Sequence, residues 1–291
     1  MRIFDCHSHW ATDKGYIFRT PEERANQKRV FHTDFRLFTE QEQNDYFRQN
    51  NVRVLLDISW IKRLPLEEMI PYHDYIFDIQ AKNRDVIYGQ WLQFNPRLHG
   101  VAAVKEFKRC IEKNVGFVGL NVNGQVTGVS ADQPEWEPFY KAAIETDTPV
   151  LIQVGLTGIG QGLPGGHGIV LEDGHPRTID RVAARFPELK ILAGRPAYPW
   201  QDDMIAILLH KPNVKYELHG WSPKHYTPSL KKEIRGRLRD RIMFGCDFPV
   251  LRYERVIADW RAEGYSEEVL EGVFHRNAEA YFPGAKPDNA K

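Results

Sequence analysis

Short apolar runs recur eight times along the 291 residues, each followed by a stretch with helical periodicity. They cover residues 2–7, 52–59, 86–92, 117–122, 149–155, 189–194, 214–218 and 241–247. All are rich in Val, Ile, Leu or Phe and have the length of a strand buried on both faces. Between them, Thr39-x-x-Glu42 reads as a capping box opening a helix. Val101, Val104, Phe107 and Ile111 follow the helical period, as do Leu230, Ile234 and Leu238. Pro134 and Pro176 stand where a helix can begin, and Pro212-Asn213 closes the segment before the seventh run. Eight strand–helix units predict an α/β fold, a closed parallel (β/α)8 TIM barrel, as a single domain over 1–291. An open doubly wound sheet is the alternative, because periodicity alone does not show closure. The count of eight favours the barrel.

Composition excludes several function classes. A hydrophobic fraction of 42%, with 12% aromatics, sustains a sizeable core. The 39 basic residues balance 39 acidic ones, which argues against a nucleic-acid footprint or a polybasic membrane surface. Cys6, Cys110 and Cys246 are widely spaced and form no C-x-x-C, so neither a disulfide framework nor a thiolate zinc site is expected. No apolar run approaches the ~20 residues that span a bilayer, and no signal-peptide core follows Met1. The expectation is a cytoplasmic protein with a small-molecule substrate and no nucleic-acid or membrane partner.

In a barrel of this kind chemistry gathers where strands end. Polar residues finish the runs here: His7 and His9, Asp57, Gln93 and Asn95, Asn121 and Asn123, Gln153, Arg195, His219 and Asp247. Alternation along a strand points His7 and His9 the same way, with Asp5 on their face, and two imidazoles side by side suit one divalent metal. Two partly exposed surface histidines are the plain alternative for an isolated H-x-H. Asp247, in Phe244-Gly245-Cys246-Asp247-Phe248-Pro249, closes the eighth run. A closed barrel sets that run beside the first, so Asp247 would join the two histidines as ligand, base or both. By the same alternation Cys6 and Cys246 should face the helices. Trp10, Tyr16, Trp60, Trp91, Trp200 and Trp221 are candidates to line an apolar pocket, whereas Trp136 and Trp260 belong to packing. Arg19, Lys62 and Arg63 could pair with a carboxylate or phosphate, but solvated loop charge is the preferred reading of each. His167 lies in a Gly-rich loop that could form a lid. His175 reads as an ordinary residue at a helix start.

The order of these pieces resembles the amidohydrolase superfamily. More narrowly, it is similar to the amidohydrolase-related barrels that include aminocarboxymuconate semialdehyde decarboxylase and aromatic-acid decarboxylases. The resemblance rests on H-x-H after strand one, Thr157-Gly158-Ile159-Gly160, Pro199-Trp200-Gln201, Gly220-Trp221-Ser222-Pro223-Lys224, the F-G-x-D-x-P at strand eight and Asn277-Ala278. It implies a metal site, zinc first, on His7, His9 and Asp247, and is compatible with a homodimer. The chain departs from the pattern at three places. Gln153 stands where strand five usually ends in a ligating His, Arg195 replaces a second His after strand six, and His219 appears where relatives often carry Ser.

Physical chemistry separates these departures. Gln153 offers a neutral oxygen, a poorer zinc ligand than imidazole. Arg195 cannot ligate a cation, but its fork suits a carboxylate or an oxyanion. The metal site would then be completed by Gln153 or His219, or stay empty, as in related lactone hydrolases that work without metal. The leading expectation is a hydrolase that activates water against a carbonyl, lactone or thioester carbon. Asp247 would be the base, Arg195 the oxyanion or carboxylate partner and His219 a second proton donor. Trp10, Trp200, Trp221 and Gln153 would help bind substrate. The alternative is a nonoxidative decarboxylase of an aromatic or unsaturated acid. A metal-independent lactonase and a ligand-binding barrel without turnover complete the set.

Overall fold

Eight parallel strands form one sheet in sequence order: β1 (Ile3–His9), β2 (Val52–Asp57), β3 (Ile87–Gln93), β4 (Phe117–Val122), β5 (Val150–Gln153), β6 (Ile191–Gly194), β7 (Val214–Glu217) and β8 (Ile242–Met243). The computed structural model describes residues 1–16, 21–32, 36–58, 61–113 and 116–282. Trp60, Arg19 and the Ser59 end of the second run lie outside these residues. The sheet closes where β1 meets the segment after β8. Cys6 donates its N–H to Phe244 O (2.9 Å), Asp247 to His7 O (2.9 Å) and His9 to Phe248 O (2.7 Å). The single-domain (β/α)8 TIM barrel expected from the alternation is the observed fold.

Helices cover the outside, and the sequence signals for their ends hold. Thr39 and Glu42 form a full capping box before the helix Glu40–Gln49. Pro134 opens a 3-10 turn leading into Glu137–Glu145, and Pro176 precedes Arg177–Arg185. Asn95 and Asn123, grouped above with the chemistry at strand ends, each accept backbone N–H groups as helix N-caps. The helix Pro96–Glu112 buries Phe107 but leaves Val101 74% exposed, immediately after the kink at the non-helical Gly100. Trp136 and Trp260 are fully buried, as expected of packing residues.

One irregularity reverses the alternation expected in β1. Between Asp5 and Ser8 the pairing with β2 slips by a residue, Asp5 lying opposite Val54 and Ser8 opposite Leu56. Such a bulge turns the face of every residue beyond it. Cys6 belongs to a cluster with Phe4, Leu55, Trp91, Leu151, Leu192 and Met243 from strands around the ring, closed by Ala278 and Phe282 at the C-terminal helix. Asp5 correspondingly leaves the face of His7 and His9. Its carboxylate accepts hydrogen bonds from Ser8 Oγ, Tyr253 Oη (2.6 Å) and the N–H groups of His7 and Cys246 (3.0 Å each).

Candidate active site

The strand ends converge on a cavity of about 420 Å³ lined by His7, His9, Asp57, Gln153, Arg195 and Asp247, with Lys62, Tyr16 and Trp221 on its walls. His9 stands at its centre. Its Nε2 lies 2.9 Å from Asp247 Oδ1, and its Nδ1 is hydrogen-bonded to Asp57. Burial disfavours charge on His9, but the two carboxylates outweigh it and push its pKa up to about 10. The reciprocal effect holds Asp247 well below the usual carboxylate range and Asp57 at about 2, against a burial cost that would raise both. His7 is neutral, lowered to about 3 by burial and by His219, whose ring stacks on it at 3.9 Å.

Asp57 sits under this group as the hub of a belt of amides. It accepts hydrogen bonds from Gln93 Nε2 and from Asn121 Nδ2 (3.2 Å), while Gln153 Nε2 donates to Asn121 Oδ1 (3.3 Å). Lys62 donates to Gln93 Oε1 and is 5% exposed. It is therefore a buried cation on the cavity and not the solvated loop charge expected from its position. Burial lowers its pKa to about 8, against the opposing pull of Asp57. Arg63 lies 3.5 Å from Glu23.

Arg195 follows β6 with a left-handed backbone, φ 74°, as does Asp247 with φ 66°. A non-glycine residue in that region carries strain of about 1–3 kcal/mol, and such strain gathers at functional sites. The Nε of Arg195 donates to His219 Nε2 at 3.1 Å, and its Nη1 is buried without a partner. His219 in turn hydrogen-bonds Glu217 through Nδ1. Its role as proton donor is therefore corrected. It is fully buried, its pKa is lowered to about 3 by burial, and both ring nitrogens are already occupied.

Two tryptophans expected at the substrate lie elsewhere. Trp10 is 1% exposed and packs in the main hydrophobic core, outside the cavity lining. Trp200 is half-buried with its ring 4.5 Å from His175, away from the cavity lining. Trp91, also raised as a pocket residue, is buried inside the barrel and donates to Cys6 O. Trp221, Gln153 and Tyr16 do line the cavity. His167 is exposed and away from the lining, and His175 accepts the Arg177 N–H at its helix start, as an ordinary residue there would.

Asp57 and Glu217 were not singled out by sequence reasoning. The signal for Asp57 was its place at a strand end, which it shares with the helix-capping Asn95 and Asn123. Glu217 carried only a parity signal, two residues before His219 on the same face.

The geometry accommodates a divalent metal. Donor atoms of His7, His9 and Asp247 all lie within 4.8 Å of one another. His7 Nε2 is 4.0 Å from Asp247 Oδ1, and a tetrahedral ion with ligands at 2.0–2.2 Å would hold donors about 3.4 Å apart. Asp57 on the far nitrogen of His9 is the carboxylate that usually orients a ligating imidazole. Gln153 Oε1 is buried without a partner in the same cavity.

A family model described as amidohydrolase matches residues 4–284. The chain belongs to the amidohydrolase family. Among solved structures, this family member resembles 2,6-dihydroxybenzoate decarboxylase from Rhizobium at 16% identity, covering 96% of this chain and 98% of that one, with a TM-score of 0.72. It also resembles 5-carboxyvanillate decarboxylase from Sphingomonas paucimobilis (16% identity, 97% and 98% covered, TM-score 0.66). A dihydroxybenzoic acid decarboxylase from Polaromonas, solved with manganese and 2-nitroresorcinol, aligns at 16% identity over 96% of each chain with a TM-score of 0.68. At such identities the likeness concerns the fold. No curated protein matches the chain in sequence. No helix among the described residues is long and apolar enough to cross a membrane.

Proposed function

We propose that this amidohydrolase-family protein is a nonoxidative decarboxylase of a small carboxylic acid whose carbanion is delocalised over an aromatic ring or a conjugated double bond. The observation that carries this reading is the unpartnered Nη1 of Arg195, buried in a cavity that also holds the hydrogen-bonded pair His9 and Asp247. A guanidinium with a free terminal nitrogen takes a carboxylate, and Lys62 adds a second buried cation. Tyr16 and Trp221 provide aromatic walls. The decarboxylases that share the fold support the same choice over hydrolysis.

The chemistry balances on groups the chain supplies. Arg195 and Lys62 hold the substrate carboxylate. The bond between it and the substrate carbon breaks, the electron pair stays on that carbon, and carbon dioxide leaves. Asp247 hands the carbon a proton that it takes up from water. His7, His9 and Asp247 would hold a divalent metal, zinc or manganese, with Gln153 as a further oxygen donor. Such a metal supplies Lewis acidity and positive charge when bound.

Hydrolysis is the second reading, favoured by the strong depression of the Asp247 pKa. An ionised carboxylate is ready to accept a proton from water attacking a carbonyl, lactone or thioester carbon. One experiment tests both: hydroxybenzoates, unsaturated acids, lactones and thioesters are incubated in 18O-labelled deuterated water. Carbon dioxide release with deuterium at the vacated carbon is the expected result. Label appearing as 18O in a product carboxylate transfers the protein to the hydrolases. Binding without turnover across the panel removes both.

A further inference from the structure

Arg195, His219 and Glu217 form a hydrogen-bonded chain beneath the cavity wall, and the chemistry of arginine fixes its direction. Guanidinium has no acceptor, so the contact between Arg195 Nε and His219 Nε2 at 3.1 Å requires a bare lone pair on the imidazole. The imidazole hydrogen must then sit on Nδ1, where Glu217 Oε1 receives it. The other oxygen of Glu217 accepts the backbone N–H of His219 at 3.0 Å. Both carboxylate oxygens are spent on His219, and both residues are fully buried.

The surrounding backbone is shaped to admit this carboxylate. A Cβ on Gly194 would stand 2.7 Å from Glu217 Oε1, and one on Gly245 would stand 2.4 Å from Oε2. Only glycine at the end of β6 and just beyond β8 leaves room for an acid between them. Arginine is long and rotamer-rich, and fixing Nε removes most of its freedom in advance. The unpartnered Nη1 is then left as the open end of the fork.

We propose that Glu217 and His219 are positioning residues that hold Arg195 by its Nε and aim its terminal nitrogens at the carboxylate of the substrate. This rests on the reading of Arg195 as the carboxylate-binding group. It sets His219 apart from proton transfer: the ring is a fixed acceptor for arginine, and its one N–H points away from the cavity at Glu217. Glu217 touches neither substrate nor metal in this role.

The test uses benzoate and neutral benzamide as probes, titrated calorimetrically into the full-length protein and its variants, with circular dichroism to check folding. Arg195→Ala and His219→Leu should each weaken benzoate binding about tenfold or more, the loss expected for a charged hydrogen-bonding partner removed or misaligned. Benzamide affinity should stay within about twofold, because it makes no ion pair with the fork. His219→Gln, which keeps an acceptor oxygen for Arg195, should recover benzoate affinity to within about threefold of the parent. Nitrogen-15 NMR of the unmodified protein should show His219 as the Nδ1–H tautomer, a readout that survives if His219→Leu fails to fold. Benzoate binding that is absent in the parent, or indifferent to Arg195→Ala, overturns the carboxylate reading and the positioning role with it. Binding lost in Arg195→Ala but kept in His219→Leu overturns the positioning role alone, as does an Nε2–H tautomer.

Discussion

His9 carries the decisive electrostatics, with Asp57 on one nitrogen and Asp247 on the other. Its pKa, raised from 6.5 to about 10 by the two carboxylates against burial, favours a proton at the position a metal would take. The sign follows directly. Below about pH 10 the two compete, so divalent metal affinity should climb as pH rises from 6 to 9, by about tenfold per unit, with close to one proton released. Calorimetry in two buffers of different ionisation enthalpy measures that proton. The same shift stabilises the fold, fully below pH 6.5, and that contribution fades as pH rises through about 10. Asp247→Asn removes the charge on Nε2 and the group that delivers or accepts the proton. Turnover should fall by about 100-fold or more, and metal affinity should fall with it. Unchanged turnover by the purified variant would take Asp247 out of the mechanism.

At the scale of the strands, the layer formed by Gly194, Glu217 and Gly245 supports the cavity floor. Gly194→Ala places a methyl against the Glu217 carboxylate, and Gly245→Ala drives one into His219 Cβ as well, at 2.6 Å. Each should cost about 1–3 kcal/mol of stability, typical of overpacking, with the larger loss at Gly245, read from urea denaturation midpoints. These elements also show how far the sequence was legible. The eight strands, their order and the capping signals could be read because apolar runs and capping residues act over a few residues. The face that each residue of β1 presents could not. A one-residue bulge between Asp5 and Ser8 is set by pairing with β2, a partner some fifty positions away, and it separates the face of Asp5 from that of His7 and His9. The burial of Lys62 is non-local for the same reason: nothing in its own segment announces that Gln93 will hold its ammonium at the cavity wall.

For the whole molecule, closure depends on the seam between the first strand and the last. Asp5 ties it together, accepting from His7 and Cys246 on either side and from Tyr253 Oη on the outer helix. Burial raises its pKa from 3.8 to about 7 despite four donors. A carboxyl shifted upward stabilises the fold at low pH and loses that contribution as pH rises from 3.8 towards 7. Tyr253→Phe deletes one donor from the buried carboxylate. The variant should lose about 1–3 kcal/mol at pH 8 and less at pH 5, where Asp5 is protonated and asks for fewer donors. Equal losses at both values would show that Asp5 is not the group Tyr253 serves.

The chain by itself determined the (β/α)8 order, the family and the candidates His7, His9 and Asp247 at strand ends, because each is written in spacing along one strand; that the three meet depends on closure of the ring. Tertiary structure alone decided that Asp57 clamps His9, that Glu217 and His219 hold Arg195, and that Trp10 and Trp200 stay away from the cavity. Those outcomes depend on which side chains from non-adjacent strands share a layer of the closed ring. Closure and local register set that, and neither is encoded within reach of any one segment.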